Sequence, residues 1–491
     1  MNIVLMSMPD VHVYNRGGAW QGPYLGIASL AAHLEGHNVV VADLIMRRRN
    51  VQRAVLKFLK KYHPQIVGLS AMTFQYHSAR DIARLVRKVS PQTKIALGGY
   101  HATLMYEEIA SGPDADAFDF IFRGEGELAF AEFVQAMEQG GSYSEIKGLT
   151  YLANGSFVHN PPRLLEDIES IRLPARHMRE YIHYHFYFTR FDSLETSRGC
   201  LMNCNFCCMR NMYGKSFRTY SIDRVMEDIE IMARRKVKAI FFCDDNILLD
   251  PERYGEICDR IAARRFHNVK FLVQASVPGI ARHPDLVRRM ANSGVLAVFL
   301  GIENTSEKSL RVMKKGDILP MTEEAVRLLR ENNMVCFAGL ILGLPHDGEE
   351  EIRQNFECVN RMGITEVFDQ VITPYPKLAI TRELEQAGKI VKPKNFKLYN
   401  GYFANVSTDF LPAEQLQYQR WLIRRQVLGM WRPSSAFKHH YRVYSLFYRI
   451  LVIPAIRLYE AILRKCIGDE GRYRQHMQIF KRMNTFNILD D

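Results

Sequence analysis

The 491-residue chain contains no stretch of 18 apolar residues free of charge, so no membrane-spanning helix is expected. It also lacks a disulfide framework. Nine cysteines is an odd number, and four of them crowd between Cys200 and Cys208. Such clustering points to metal or cluster binding in a reducing compartment, which places the chain in the cytoplasm. The opening MNIVLMSMPD has no basic flank ahead of its apolar run, so it reads as a buried strand and not as a signal peptide. A hydrophobic content of 47% excludes disorder, and the length exceeds one core, so two or three domains are expected. The formal charge of +12 favours anionic contacts, without selecting among nucleic acid, lipid and acidic substrates.

Residues 1–145 alternate short β-branched runs with amphipathic stretches. MNIVLMSMP, NVVVADLI, QIVGLSAMT, KIALGGYHAT and DFIFRGEGE read as strands, and the segments between them as helices. This predicts an α/β domain with a parallel sheet, helices on both faces and ligands outside the carboxyl ends of the strands. Residues 146–190 read as a linker holding a hairpin, GLTYLANGSFVH, and an aromatic run, YIHYHFYF, that can wall an apolar pocket or simply pack between domains. Residues 191–400 resume the alternation, with strands at SLETSRG, VKAIFFCD, VKFLVQAS, LAVFLGIEN, VCFAGLILG and EVFDQVITP. Six such units predict a partial α/β, TIM-like barrel with its chemistry on the loops after the strands. Residues 401–491 lose the alternation and read as a helical C-terminal region.

The segment ETSRGCLMNCNFCCMRNMYG spaces Cys200, Cys204 and Cys207 as C-x3-C-x2-C after a predicted strand. Three thiolates on one tight loop suit three irons of a [4Fe–4S] cluster, leaving the fourth iron open. Structural zinc is the alternative, with the adjacent Cys208 the available fourth ligand. The motif in this context resembles the radical S-adenosylmethionine (SAM) superfamily. The resemblance implies that the open iron chelates SAM and that reduction cleaves it to a 5′-deoxyadenosyl radical. It also implies SAM contacts for Phe206, just before the last cysteine; for Asp244 and Asp245 in FFCDDNILLD; for Glu303 in GIEN; and for the backbone of the strand around Leu340 in AGLILGLP. Helix capping is the competing reading for the two aspartates, and a buried salt bridge for Glu303.

Residues 1–145 resemble the cobalamin-binding domain that precedes the barrel in a large class of radical SAM enzymes. The matching segments are GPYLGIASLAAHLEGHNVVVAD, GLSAMT, GGYHAT and RGEGE. The resemblance implies cobalamin contacts at Tyr24, Ser70, Thr73, Gly98, Gly99, His101, Gly124, Glu125 and Gly126. The Asp-x-His-x-x-Gly motif that supplies a cobalt-ligating histidine in other cobalamin enzymes is only partial here. Asp10, Val11 and His12 are followed by Asn15 in place of glycine, and His37 and His101 lack the pattern. No histidine ligand is therefore expected. A dinucleotide-binding domain is disfavoured because GxGxxG does not follow the first strand.

Together the two resemblances imply a methyltransferase acting on an unactivated carbon, with one SAM methylating cobalamin and another generating the radical. Cyclisation or ring contraction is the alternative, and a non-catalytic sensor a more remote one. The implied partners are a small molecule, such as a lipid, tetrapyrrole or natural-product scaffold, and an electron donor such as flavodoxin or ferredoxin. Nucleic acid is not expected. In SLFYRILVIPAIRLYEAILRK, within 431–465, apolar residues from Leu446 to Leu463 recur at helical spacing, with Arg449, Arg457, Arg464 and Lys465 among them. This face suits either peripheral contact with an anionic membrane or packing against protein.

Overall fold

The computed structural model describes residues 1–10, 20–186, 189–266, 268–429, 452–483 and 488–489. Its first sheet is built from the β-branched runs: β1 (Asn2–Ser7), β2 (Asn38–Asp43), β3 (Ile66–Ser70), β4 (Lys94–Gly98) and β5 (Phe120–Phe122). All five are parallel, in the order β2–β1–β3–β4–β5. Alternate residues of β1 serve opposite faces. Ile3 and Leu5 pack with α1 (Leu25–Ala31) and α5 (Glu127–Gln139), while Val4 and Met6 pack with α2 (Val51–Tyr62), α3 (Tyr76–Val89) and α4 (Tyr100–Ser111). The strand order reverses between β1 and β3, and such a switch point is where open α/β sheets bind ligands.

The hairpin β6 (Leu149–Ala153) and β7 (Ser156–His159), expected in the linker after residue 145, instead extends this sheet. It pairs antiparallel with β5, and its fully buried Leu149 and Thr150 cover an edge that would otherwise stand open.

The second sheet holds β8 (Thr189–Leu194), β9 (Ala239–Phe242), β10 (Lys270–Ser276), β11 (Val295–Glu303), β12 (Val335–Leu342) and β13 (Glu366–Val371). These six parallel strands are neighbours in chain order, which is the partial barrel expected. Phe191, Ala239, Leu272, Ala297 and Val335, one from each of β8 to β12, form a layer that fills its amino-terminal end. Phe186 packs against that layer, and His185–Phe186 pairs antiparallel with β8 and with Trp20–Gln21. In the described part of YIHYHFYF, Phe186 thus covers the end of the barrel opposite the strand termini that carry the cysteines, while Tyr181 packs against Phe58 of α2. The run starts from a strand edge needing apolar cover, which composition alone does not distinguish from a pocket wall.

Buried ion pairs tie the linker to both sheets. Arg176, only 2% exposed, bonds both carboxylate oxygens of Asp228 on α6 (Ile222–Arg234), lies 3.2 Å from Asp192, and donates to the Ser193 carbonyl at 2.7 Å. Arg179 meets Asp192 at 2.8 Å, and the Tyr184 hydroxyl donates to Asp43 at the end of β2. Beyond the barrel, α7 (Ala413–Val427) anchors through Arg420, which donates to the Asp369 carbonyl at 2.7 Å. On α8 (Ile453–Met483), Leu458, Tyr459 and Ile462 are exposed. Among the described residues no helix is long and apolar enough to cross a membrane.

Removing Arg176 strands the buried Asp228 and leaves Asp192 with Arg179 alone, so Arg176→Ala is expected to lower stability by about 3–5 kcal/mol. Denaturant unfolding monitored on the apoprotein checks this, and a loss below about 1 kcal/mol would contradict it.

Candidate active site

The cysteine loop springs from a two-residue ribbon in which Ser197–Arg198 pairs antiparallel with Arg218–Thr219. Gly199 then turns the chain at φ +89°, where a side chain would collide with the Ser216 carbonyl oxygen. Cys200, Cys204 and Cys207 follow, all half-buried and unbridged. Asn205 pins the loop to the barrel, donating its backbone N–H to the Met313 carbonyl at 3.2 Å and its side chain to the Val312 carbonyl at 2.9 Å. Burial pushes all three thiols up, while Lys315 pulls Cys200 and Cys204 down. Such thiols need a cationic centre to hold them as thiolates. Among the described residues no three His, Cys, Asp or Glu side chains stand close enough to share one metal ion. Three thiols on one loop, with no histidine beside them in the motif, fit a cubane in which each cysteine holds a different iron.

The two aspartates after β9 have separate surroundings. Asp244, 1% exposed, accepts from the Thr196 N–H at 3.1 Å, the Thr196 hydroxyl at 2.7 Å and the Ser197 hydroxyl at 2.5 Å. These bonds tie it to Thr196 and Ser197 at the start of the ribbon. Asp245 accepts only the Gly199 N–H, at 3.0 Å, and burial raises it to about 6. Glu303, at the end of β11, has φ +64° and meets Lys315 at 2.8 Å. Its carboxylate crosses Gly301, where a Cβ would sit 2.7 Å from Oε1. Phe206 is half-buried against the barrel core. The Leu340 side chain is fully buried, so only its backbone, in register with Glu303, can serve a ligand.

In the first domain the predicted residues gather at the carboxyl ends of the strands. Ser70 and Gly98 are half-buried register partners. Gly99, at φ +93°, passes so close to Ala71 that a Cβ would stand 2.7 Å from its carbonyl oxygen. Gly124 (φ +75°) has open space where a Cβ would lie, and its N–H is held by Thr103 at 3.0 Å; Gly126 follows it in the same turn. Beneath the β1–β3 switch point, Gln75 donates to the Tyr24 hydroxyl at 2.7 Å and to the Asp10 carbonyl at 3.1 Å, while Oδ2 of Asp10 is buried without a hydrogen-bond partner. Glycine turns, open edge and orphaned oxygen together fit a large ligand on this rim. Thr73 is buried, however, and His101 is 1% exposed, its ring between Tyr76 at 4.3 Å and Phe396 at 4.7 Å. Burial lowers His101 to about 3, which keeps it neutral, and its Nδ1 is buried without a hydrogen-bond partner. Glu125 turns away from this rim toward Arg198 and Arg218. His12 lies outside the described residues.

The family model of the B12 binding domain matches residues 18–134, and that of the Radical SAM superfamily matches residues 194–359. The chain belongs to the cobalamin-dependent radical SAM enzymes. It is 27% identical to an uncharacterized methyltransferase of Pyrococcus horikoshii over 90% of this chain and 95% of that one. It is 25% identical to the anaerobic magnesium-protoporphyrin IX monomethyl ester cyclase of Rubrivivax gelatinosus, covering 81% and 72% of the two chains. The fold matches the radical S-adenosylmethionine methyltransferase TsrM of Kitasatospora setae, solved with cobalamin and a [4Fe–4S] cluster, at TM-score 0.64 and 19% identity over 79% of each chain.

For a cobalamin-dependent radical SAM enzyme, several site residues had no signal in the sequence. Lys315 faces Glu303 from a loop twelve positions on, in a spacing that marks nothing by itself. Tyr375 lies beside Cys207 and Cys208, and Tyr100 beside Tyr213. Only folding makes these neighbours.

Burial raises Asp10 to about 7, against the pull of Ser78, Lys397 and Arg48. From its ordinary range near 4 up to that value, the folded chain binds a proton that the unfolded chain releases, so stability falls as pH rises through this window. Asp10→Asn is expected to match the parent near pH 4 and to exceed it at pH 8 by about 2–4 kcal/mol. Unfolding of the apoprotein across that range checks this; a pH-independent difference would contradict it.

Proposed function

We propose that the enzyme is a cobalamin-dependent radical SAM methyltransferase that methylates an unactivated carbon of a sizeable, partly apolar small molecule. The observation that carries this reading is the direct contact of the two cofactor-side turns. Glu125, in the turn after β5, binds Arg198, two residues before Cys200. When bound, the cluster and SAM supply a carbon radical and cobalamin supplies the methyl group. Cys200, Cys204 and Cys207 hold the cluster, while Asp245 and the Glu303–Lys315 pair offer charges of both signs to the amino and carboxylate groups of SAM. Phe206 and the backbone at Leu340 flank the same space. Ser70, Gly98, Gly99, Gly124 and Gly126 form the cobalamin rim, supported from below by Tyr24 and Thr73. His101 shapes this rim as packing, and Glu125 fixes its turn.

Apolar substrate character is supported by Met72 after β3 and by Leu201 and Met202 in the cysteine loop, which leave large apolar side chains exposed at the strand ends. An acidic electron donor such as flavodoxin or ferredoxin suits the +12 chain. The cyclase relative supports cyclisation as the second reading. Reconstituted, reduced protein given SAM is expected to release both 5′-deoxyadenosine and S-adenosylhomocysteine. Cys204→Ala is expected to lower 5′-deoxyadenosine by about 100-fold or more, a barrier rise of roughly 2.7 kcal/mol. 5′-Deoxyadenosine without S-adenosylhomocysteine would favour cyclisation.

We also propose that the C-terminal region docks peripherally on anionic membrane. Leu458, Tyr459 and Ile462 are exposed beside the exposed cations Arg464 and Lys465, a combination that suits a headgroup interface. Residues 430–451 lie outside the described residues. Full-length protein is expected to co-sediment with anionic liposomes at low salt, and a version truncated after Trp431 to remain in the supernatant. Equal recovery of both in the supernatant ends this reading.

A further inference from the structure

Arg198 and Arg218 are register partners across the ribbon at the base of the cysteine loop. Two guanidinium groups placed directly opposite each other repel, and such a pair is stable only with a shared counter-charge. The barrel supplies part of it. Glu195 accepts from Arg198 Nε at 2.9 Å and Nη2 at 2.6 Å, and is itself held by the Tyr220 hydroxyl at 2.9 Å. The rest comes from the first domain. Glu127, at the start of α5, accepts from Arg198 at 2.7 Å and from Ser29 at 3.0 Å. Glu125 alone spans both arms. Its carboxylate accepts from Arg198 at 3.0 Å, and from Arg218 at 2.6 Å and 3.1 Å. The Glu125 side chain is 11% exposed and that of Arg198 7%, so water screens these charges weakly.

We propose that Glu125 is a positioning residue that couples the cobalamin rim to the iron–sulfur loop. It sits between Gly124 and Gly126 in the turn at the rim, and it closes the ribbon from which Gly199 and Cys200 depart. A shift of that turn therefore moves the counter-charge of the ribbon, and the loop registers the state of the first domain. The part of this inference that concerns cofactors rests on the proposed methyltransferase reading. The mechanical part does not.

Two measurements test it. In the apoprotein, Glu125→Gln is expected to accelerate amide hydrogen exchange in residues 197–207 by on the order of tenfold, as loss of charge-assisted hydrogen bonds implies. Glu132→Gln, which alters a carboxylate of α5 that faces Arg163 instead, is the control and is expected to leave that segment unchanged. Should Glu125→Gln fail to fold, Arg218→Gln removes the other arm of the contact and carries the same expectation. In reconstituted, reduced protein, pulsed electron spin resonance reads the distance between the cob(II)alamin and reduced-cluster spins. The parent is expected to give one narrow distance, and Glu125→Gln a broadened or shifted one with both spins still at parental intensity. Unchanged exchange, or an unchanged narrow distance, overturns the proposal. A parent sample lacking either spin signal refutes the cofactor assignment alone, and the exchange measurement on the apoprotein then decides the mechanical coupling by itself.

Discussion

The structure depends on one buried guanidinium. Arg198 lies between carboxylates from two domains, and it is followed in sequence by the turn glycine and then by the first cluster cysteine. An isolated charge at this depth would not be tolerated. Each domain therefore completes the other: the first brings Glu125 and Glu127, and the barrel brings the cation they require. The relative placement of the two cofactor edges follows from this electrostatic constraint together with apolar contacts across the junction, where Phe396 packs on Tyr76 and His101 and Leu128 packs on the barrel core.

A second buried network stands behind the first. Arg176 and Arg179 in the linker meet Asp192 and Asp228 of the barrel, and Tyr184 reaches Asp43 beside the switch point. Ion pairs of this kind add little net stability compared with apolar packing, but they permit few alternative arrangements. Linker, barrel and first sheet are thereby held in one geometry by charge as well as by apolar contact. That suits an enzyme whose cofactors must approach each other closely while a substrate still enters between them.

The cysteine loop shows the same economy at short range. Asp244, buried and fully engaged with Thr196 and Ser197, holds the ribbon, while its neighbour Asp245 keeps one oxygen available toward the cysteines. Two adjacent carboxylates thus take different roles because one faces the strand interior and the other the loop. The same logic separates His101 from the rim it adjoins: the helix that starts at Tyr100 turns its imidazole into the aromatic layer of Tyr76 and Phe396.

The strands of both sheets and the cysteine loop were legible in the sequence, because β-branched runs, glycine turns and C-x3-C-x2-C spacing are local signals, whereas the order of the strands in the first sheet was not. So were the turn glycines Gly99 and Gly124, whose φ of +93° and +75° favours that residue type. What the tertiary structure alone decided were the partners. Nothing local marks β6 and β7 as an extension of the first sheet, Phe186 as a plug of the barrel, Lys315 as the mate of Glu303, or Glu125 as the counter-charge of Arg198 and Arg218. Each of these is a contact between residues distant in the chain, and its energy comes from removing charge or apolar surface from water only once the domains have met. Sequence carries the chemistry of such groups; the fold decides whether they face a ligand or each other.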